Sequence, residues 1–307
     1  MFTLSPSRIA RYFFHQCERH LRYFATPVNA RKAAGIPEQP EPSSPVTRAI
    51  LEGGYHWEEK VVNHWLKGKV KIARAKAGTP LRDRVFSVTA TLRALQQLQP
   101  GEWLYQGTLE TSASFHAGYA LNPEQLHFPP CRPDLIQRVD EGQGAPLYRV
   151  VDVKATPTLK TSHRIQVAIY SLLLDHVLRE RAAPGAVDLQ QGAIWLAETP
   201  EPELFDLALV FPHVQAFLRD VLQPVLDAEL AEVPWHIYYR CEWCEYFAHC
   251  RQEAEEKDSV SQMPYLSVHG RRHLRALNVH SLTELQTLLA HPEAEQRLAA
   301  QIPVARA

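Results

Sequence analysis

The sequence predicts an α/β fold in which helices flank a central mixed sheet. Helical periodicity dominates roughly the first hundred residues, and strand-like patterns replace it between residues 102 and 155. A strongly apolar helical segment starts near residue 161, and two more strand patterns follow it. Strands on both sides of such a helix require a sheet covered by helices. The chain has 307 residues, of which 45% are hydrophobic, enough for an ordinary globular core.

The N-terminal third is predicted to be helical. Ser5 as a cap and Pro6 in the first turn predict a helix over residues 5–24. Residues 35–46 (GIPEQPEPSSPV) are rich in proline and serine and predict an exposed loop. Further helices are expected over about 47–66 and 84–98.

The sheet is predicted from the next patterns. Strands are expected at 102–109, 114–121, 132–139 and 146–155, and the last two form a hairpin. If its turn is centred on Gln143, Asp134 lies directly opposite Asp152, and Arg132 opposite Lys154. After a helix from Thr161 or Ser162 to about Arg181, we expect strands at 190–197 and 204–210, then a helix to about residue 232.

The tail from residue 259 is expected to be a small helical element attached to a main domain of residues 1–258. Its two short helices around Gly270 are similar to a helix-hairpin-helix with one turn glycine, and packing against the main domain is the expected role of this tail. No apolar run is long enough to span a membrane. The N-terminus lacks the apolar stretch of a signal peptide, so we expect a cytoplasmic protein.

Charge does not identify a partner. The net charge of −1 gives no whole-molecule attraction to nucleic acid. Residues 1–35 and 67–84 are locally basic. Such clusters either contact phosphates or form solvated faces, and charge alone leaves both readings open.

The predicted hairpin carries a group of charged side chains. Asp152 and Lys154, two apart on one strand, point to the same face. Opposed Asp134 and Asp152 would have Cβ atoms about 4.5–5.5 Å apart. Two carboxylates that close repel unless a cation separates them or one is protonated. Mg²⁺ or Mn²⁺ suits carboxylate oxygens and activates water for phosphodiester hydrolysis, with Lys154 orienting that water or stabilising charge. Ordinary salt bridges on a surface strand are the alternative.

The cysteines form a second pattern. Cys241, Cys244 and Cys250 lie in one short segment, and an iron–sulfur or zinc site needs four ligands, so Cys17 is the expected fourth. One close pair followed by separate cysteines favours a cluster over a zinc ribbon. Zinc remains the alternative, with His249 or His15 in place of one thiolate. The fifth cysteine, Cys131, is expected to be a buried apolar thiol.

The motifs together resemble a known family. In chain order they are His56, Pro133–Asp134, Asp152–Lys154 and Gln166–Tyr170. This order resembles the RecB-like branch of the PD-(D/E)XK nuclease superfamily, which implies a restriction-endonuclease-like core. The resemblance implies that His56, Asp134, Asp152 and the carbonyl of Val153 hold Mg²⁺ or Mn²⁺. It also implies that Lys154 acts on the nucleophilic water, and that Gln166 and Tyr170 help to position the DNA strand.

The cysteine arrangement is similar to the iron–sulfur subgroup of these nucleases, which includes CRISPR-associated RecB-type exonucleases. The resemblance implies a [4Fe–4S] cluster that ties the first helix to the end of the nuclease domain. The expected function is an exonuclease for single-stranded or free-ended DNA in repair, recombination or defence. The alternatives are a catalytically silent, cluster-bearing DNA-binding module that serves a helicase or nuclease, and a zinc-stabilised scaffold. The sequence has no P-loop motif, so any motor must be a separate chain.

Overall fold

The computed structural model of the protein describes residues 1–38, 45–142 and 144–300. Most of the predicted loop at 35–46, the predicted turn residue Gln143 and the tail residues 301–307 lie outside the described residues. No helix within the described ranges is both long enough and apolar enough to cross a bilayer.

The described helices are α1 (Pro6–His15), α2 (Glu18–Ala25), α3 (Val28–Ala33), α4 (Pro45–Lys60), α5 (Val88–Gln96), α6 (Ala113–Gly118), α7 (Thr161–Glu180), α8 (Phe211–Ala216), α9 (Gln223–Asp227), α10 (Phe247–Glu256), α11 (Val268–Ala276), α12 (Leu282–Leu289) and α13 (Ala294–Ala300). Wider π-helical turns at Val61–Trp65 and Phe217–Leu222 continue α4 and α8. Short 3₁₀ turns lie at Leu81–Asp83, Tyr239–Trp243 and Val260–Gln262.

The strands are β1 (Phe2–Thr3), β2 (Val70–Lys71), β3 (Trp103–Tyr105), β4 (Leu126–His127), β5 (Leu135–Arg138), β6 (Leu147–Lys154), β7 (Ala186–Val187), β8 (Gln191–Leu196) and β9 (Glu203–Asp206). The main sheet has the order β2-β3-β5-β6-β8-β9, with β7 paired to β6. Pairs β2–β3 and β6–β8 are parallel, whereas β3–β5, β5–β6 and β8–β9 are antiparallel. The sheet is therefore mixed, which confirms the predicted α/β class.

Helices cover both faces of this sheet. Side chains alternate along β6, so Val150 joins the core beneath α7 while Val151 joins the core beneath α4. The α4 side is anchored by Trp57, whose indole N–H donates to the carbonyl of Trp195 on β8 at 3.4 Å. The sheet therefore separates α7 from α4, and the end of β6 lies between these two helices.

The hairpin has the register that the sequence predicted. Leu135 pairs with Val151 and Ile136 with Val150, as a turn centred on Gln143 requires. Asp134 directly precedes β5, and its carboxylate accepts a hydrogen bond of 2.8 Å from the backbone N–H of Val153. The two aspartates therefore meet at the open end of the hairpin.

Several of the predicted elements were wrong in type or length. The strand expected at 102–109 covers only Trp103–Tyr105, the one expected at 204–210 ends at Asp206, and the helix expected to about residue 232 ends at Asp227. The helix expected over 5–24 is two helices, because Gln16 adopts a left-handed backbone with φ of 48° and ends α1. The strand expected at 114–121 is instead helix α6, whose N-terminus is capped by Ser112. The helix expected from residue 84 begins at Val88, because Ser87 caps it.

The C-terminal element contains the predicted helix pair, α11 and α12. Gly270 lies inside α11 rather than in the turn, where Asn278 takes the left-handed conformation with φ of 58°. The element has a small apolar core of its own, formed by Val260, Leu274, Val279, Leu285 and Leu288. Arg271 links it to the main body, because its guanidinium donates to the carbonyl of Trp235. The boundary at residues 258 and 259 stays a prediction.

Candidate active site and cysteine cluster

The end of the hairpin brings the predicted charged residues together. Lys154 Nζ lies 2.5 Å from Asp152 Oδ2 and 3.9 Å from Asp134 Oδ2. Burial opposes the positive charge on Lys154, but the two carboxylates outweigh that effect and raise its pKa. The side chains thus form one compact charged group rather than a set of surface salt bridges.

Asp152 occupies an unusual position for a carboxylate. It is fully buried. Burial raises its pKa well above the ordinary value, Lys154 opposes that shift, and Asp134 adds to it. Its Oδ2 atom lies 2.5 Å from Lys154 Nζ. A buried oxygen with unused lone pairs beside a second carboxylate suits a cation ligand.

A third carboxylate, Glu58 on α4, belongs to this group and was missed from the sequence. It accepts hydrogen bonds from the hydroxyl of Tyr105 at 2.7 Å and from the amide of Gln106 at 3.1 Å. Burial raises the pKa of Glu58, and the neighbouring charge of Asp134 raises it further. Glu58 also lines the same opening as Asp134 and Lys154. Three carboxylates therefore converge on Lys154.

His56 is not placed as the sequence suggested. It is exposed, and it is not among the described residues that line the opening. Residues two apart on an α-helix lie about 200° apart around its axis. Because Glu58 faces the carboxylates, His56 faces away from them. The geometry therefore favours Glu58 over His56 as the ligand contributed by α4.

We expect Glu58→Gln to raise the concentration of Mg²⁺ or Mn²⁺ needed for half-maximal cleavage at least about tenfold. The substitution replaces one of three carboxylates by a neutral amide of the same shape. The measurement is the cleavage rate against metal concentration. His56→Ala is the matched control two residues away on the same helix, and we expect it to leave the metal curve unchanged. If His56→Ala shifted the metal curve and Glu58→Gln did not, His56 rather than Glu58 would be the ligand.

Two residues of α7 lie beside Asp152. The amide of Gln166 donates to Asp152 Oδ1 at 3.3 Å. Tyr170 is buried one helical turn later. Burial raises its pKa well above the ordinary value, and the nearby charges of Asp152 and Asp134 contribute to the shift. Gln166 therefore contacts Asp152 directly, whereas Tyr170 lies near both aspartates. Val153 lines the opening, as do Lys160 and His163 at the start of α7.

The cysteines that the sequence grouped also meet in space. Cys17 precedes α2, and the short turn at Tyr239–Trp243 and helix α10 bring in Cys241, Cys244 and Cys250. All four line one small internal cavity. Burial raises the pKa of Cys17 to about 12, and the charges of Cys250 and Cys241 contribute. Burial likewise raises the pKa of Cys244 to about 12, with contributions from Cys17 and Cys250.

The surroundings of the four thiols suit a negatively charged metal–thiolate group. The buried guanidinium of Arg19 lies near Cys250 and is one cause that lowers the pKa of this thiol, although burial raises it overall. Arg19 Nε, His20 Nδ1 and His236 Nε2 are buried polar atoms with no hydrogen-bond partner among the described residues. The N–H of Arg19, and that of His236 when Nε2 carries the proton, are able to donate to sulfur once a metal has displaced the thiol protons. His20 differs, because its Nε2 faces the carboxylate of Glu245 and leaves Nδ1 as an acceptor.

The structure leaves a histidine-containing alternative for this cavity. Ligand atoms of His15, His20 and Cys244 lie within 4.8 Å of one another. His249 instead contacts the hydroxyl of Tyr23 at 3.3 Å and does not line the cavity among the described residues. Of the two histidines that the sequence offered for zinc, the geometry therefore favours His15. Cys131 is buried in the main core away from this group, as expected.

Comparison with known families agrees with this arrangement. A sequence model of the PD-(D/E)XK nuclease superfamily matches residues 130–251. The matched range includes Asp134, Asp152 and Lys154, and it supports a nuclease domain with a restriction-endonuclease-like fold. A search of curated proteins found no match. Glu58 and Cys17 lie outside the matched range.

Proposed function

We propose that the protein is a metal-dependent DNA nuclease that hydrolyses phosphodiester bonds, with Asp134, Asp152 and Glu58 as the metal ligands. The observation that carries the proposal is the convergence of these carboxylates around Lys154 at the end of the hairpin. The match of residues 130–251 to a nuclease superfamily supports the same reaction class. Mg²⁺ or Mn²⁺ is the expected cofactor, because the donor set consists of carboxylate oxygens.

The three carboxylates would hold the ion, together with the carbonyl of Val153, which lies between Asp152 and Lys154 in the chain. The bound ion supplies a Lewis acid and lowers the pKa of water. Lys154 would orient the attacking water and stabilise the negative charge that develops on the phosphate. Gln166 holds the Asp152 carboxylate by its hydrogen bond, and buried Tyr170 keeps bulk water away from that side. His163 and Lys160 at the opening would receive the substrate backbone.

We propose an exonuclease mode on single-stranded or free-ended DNA, in repair, recombination or defence. The cleft at the carboxylates is open to solvent, and the described residues around it include exposed Lys160. A helicase or another repair or defence protein is the expected partner, and the cytoplasm the expected location. These finer assignments come from the family resemblance.

We propose that Cys17, Cys241, Cys244 and Cys250 hold a [4Fe–4S] cluster, with structural zinc as the alternative. Their common cavity and the orphaned buried donors around it support a bound metal group. When bound, the cluster or zinc ion would cross-link the start of α2 to the segment 241–250. No step of the hydrolysis depends on it.

The nuclease proposal is tested with end-labelled single- and double-stranded DNA, assayed anaerobically with Mg²⁺, with Mn²⁺ and with a chelator. We expect metal-dependent cleavage, and the product ladder reports polarity and whether cleavage starts from an end. DNA binding without cleavage under all metal conditions would contradict the proposal and favour a catalytically silent binding module.

A further inference from the structure

A second and larger opening lies beside the candidate active site. This groove has a volume of about 770 Å³. One side is formed by α1 and the start of α7, and the other by the segment before α8 and by α11 of the C-terminal element. The groove is therefore the place where the C-terminal element meets the nuclease core.

The groove is basic. Arg164 and Arg272 line it and are exposed, and so are His213 and His269. Glu18 is the one carboxylate among the described lining residues. The balance of charge therefore favours an anionic occupant.

The groove also offers apolar contact surface. Leu209 lines it and is 72% exposed. Tyr12 and Phe13 of α1 also line it, with their rings half-buried against Phe217. Unpaired bases pack on exposed aromatic and apolar side chains, whereas the bases of a duplex are stacked on each other. Cations next to apolar groups therefore match a single strand better than a duplex.

The first turn of α7 joins this groove to the carboxylates. Lys160 and His163 line the active-site opening, whereas Thr161 and Arg164 line the groove. Residues four apart on a helix are separated by about 5–6 Å. The first turn of α7 contains no acidic side chain, and a helix N-terminus carries partial positive charge. A strand leaving the carboxylates thus meets positive charge continuously.

We infer that the groove binds the single-stranded DNA that extends beyond the scissile phosphate, with Arg164 and Arg272 contacting its phosphates. This inference rests on the proposed nuclease function and deepens it. It gives the C-terminal element a role in substrate binding, since Arg272 lies on α11. The strand passes from the carboxylates over the first turn of α7 and between α1 and α11.

The test measures binding of fluorescent single-stranded DNA of about 6 and about 16 nucleotides, which lie within the roughly 4–16 nucleotides that single-strand sites cover. Binding of a duplex of the longer length is measured beside it. The full chain with Asp152→Asn is used so that bound DNA is not cut. We expect Arg164→Ala with Arg272→Ala to weaken binding of the longer DNA about tenfold and of the shorter DNA less. The slope of log affinity against log salt should fall by about 1.4, since each lost phosphate contact contributes about 0.7.

Two further variants separate charge from structure. Arg179→Ala removes an arginine from the last turn of the same helix, whose side chain is 74% exposed, and should leave both affinity and slope unchanged. Arg272→Lys keeps the charge and should keep the slope. Thermal unfolding of each variant checks that all are folded.

The outcomes separate the groove from the nuclease proposal. The groove assignment is wrong, and the nuclease proposal stands, if the double variant binds the longer DNA with unchanged affinity and slope while the chain with the natural Asp152 cleaves DNA. An equal loss for single-stranded and duplex DNA would overturn the assignment to a single strand. If the chain with the natural Asp152 neither binds nor cleaves any DNA, the nuclease proposal itself fails.

Discussion

Asp152→Asn is expected to reduce cleavage at least about 10³-fold. The substitution keeps the shape of the side chain but removes the negative charge that would hold the metal ion and that pairs with Lys154 at 2.5 Å. Loss of one preorganised electrostatic group in an active site costs about 10²–10³ in rate, and loss of a metal ligand adds to that cost. The measurement is the single-turnover cleavage rate at saturating Mg²⁺ or Mn²⁺.

Asp188→Asn provides the matched control. Asp188 is also a buried aspartate in an ion pair, with Arg149 at 2.7 Å, and it directly follows β7, beside the start of β6 rather than its end. We expect this control to lower thermal stability and to keep the cleavage rate of the remaining folded protein. Full cleavage by a folded Asp152→Asn protein would remove Asp152 from the site. Equal losses in both variants would point to unfolding rather than chemistry.

The core of this site followed from the sequence because strand geometry is simple. Alternation along β6 placed Asp152 and Lys154 on one face, and one assumption about the turn placed Asp134 opposite Asp152. The observed pairing of Leu135 with Val151 confirms the register. Side chains of a strand alternate between two faces of the sheet. A short sequence pattern therefore determines well on which face each residue lies.

The helical ligand was harder to predict, because the rotation of a helix against a sheet depends on packing. The family resemblance pointed to His56, whereas the structure turns Glu58 toward the carboxylates. A signal for this was present in the sequence. Trp57, Val61 and Val62 are buried on one face of the helix, and Glu58 lies four residues before Val62 on that face. The apolar periodicity therefore indicates Glu58 rather than His56.

Local capping explains two of the errors in the secondary-structure prediction. The segment 114–121 reads as alternating apolar and polar residues, but Ser112 accepts a hydrogen bond from the N–H of Phe115 and starts a helix. Gln16 ends α1 by a left-handed turn that ordinary propensity does not predict for glutamine. That turn also starts α2 directly after Cys17, which places its thiol in the cavity with the other three. Here, a break in regular structure positions the proposed ligand Cys17.

The second large effect is expected at the cysteine cavity. Cys250→Ser should release most of the bound metal and lower the free energy of unfolding by more than about 4 kcal/mol, since loss of a structural metal belongs to the most destabilising class of substitutions. The measurements are iron, sulfide and zinc per chain, the visible absorbance spectrum and thermal unfolding. Cys131→Ala is the control, because Cys131 lies in the main core. It should keep the metal content of the parent chain.

The pattern of metal loss across the four ligands carries more information than any single variant. Because one site needs all four thiolates, Cys17→Ser should release as much metal as Cys250→Ser, although the two cysteines are far apart in the sequence. A visible band with iron and sulfide would identify a [4Fe–4S] cluster, whereas zinc alone would identify the structural alternative. If His15→Ala released the metal and Cys17→Ser did not, the ligand set would be the one around His15, His20 and Cys244. If every one of these variants retained its metal, that metal would be bound elsewhere in the chain. The cavity between α2 and α10 would then hold buried, protonated thiols and no metal.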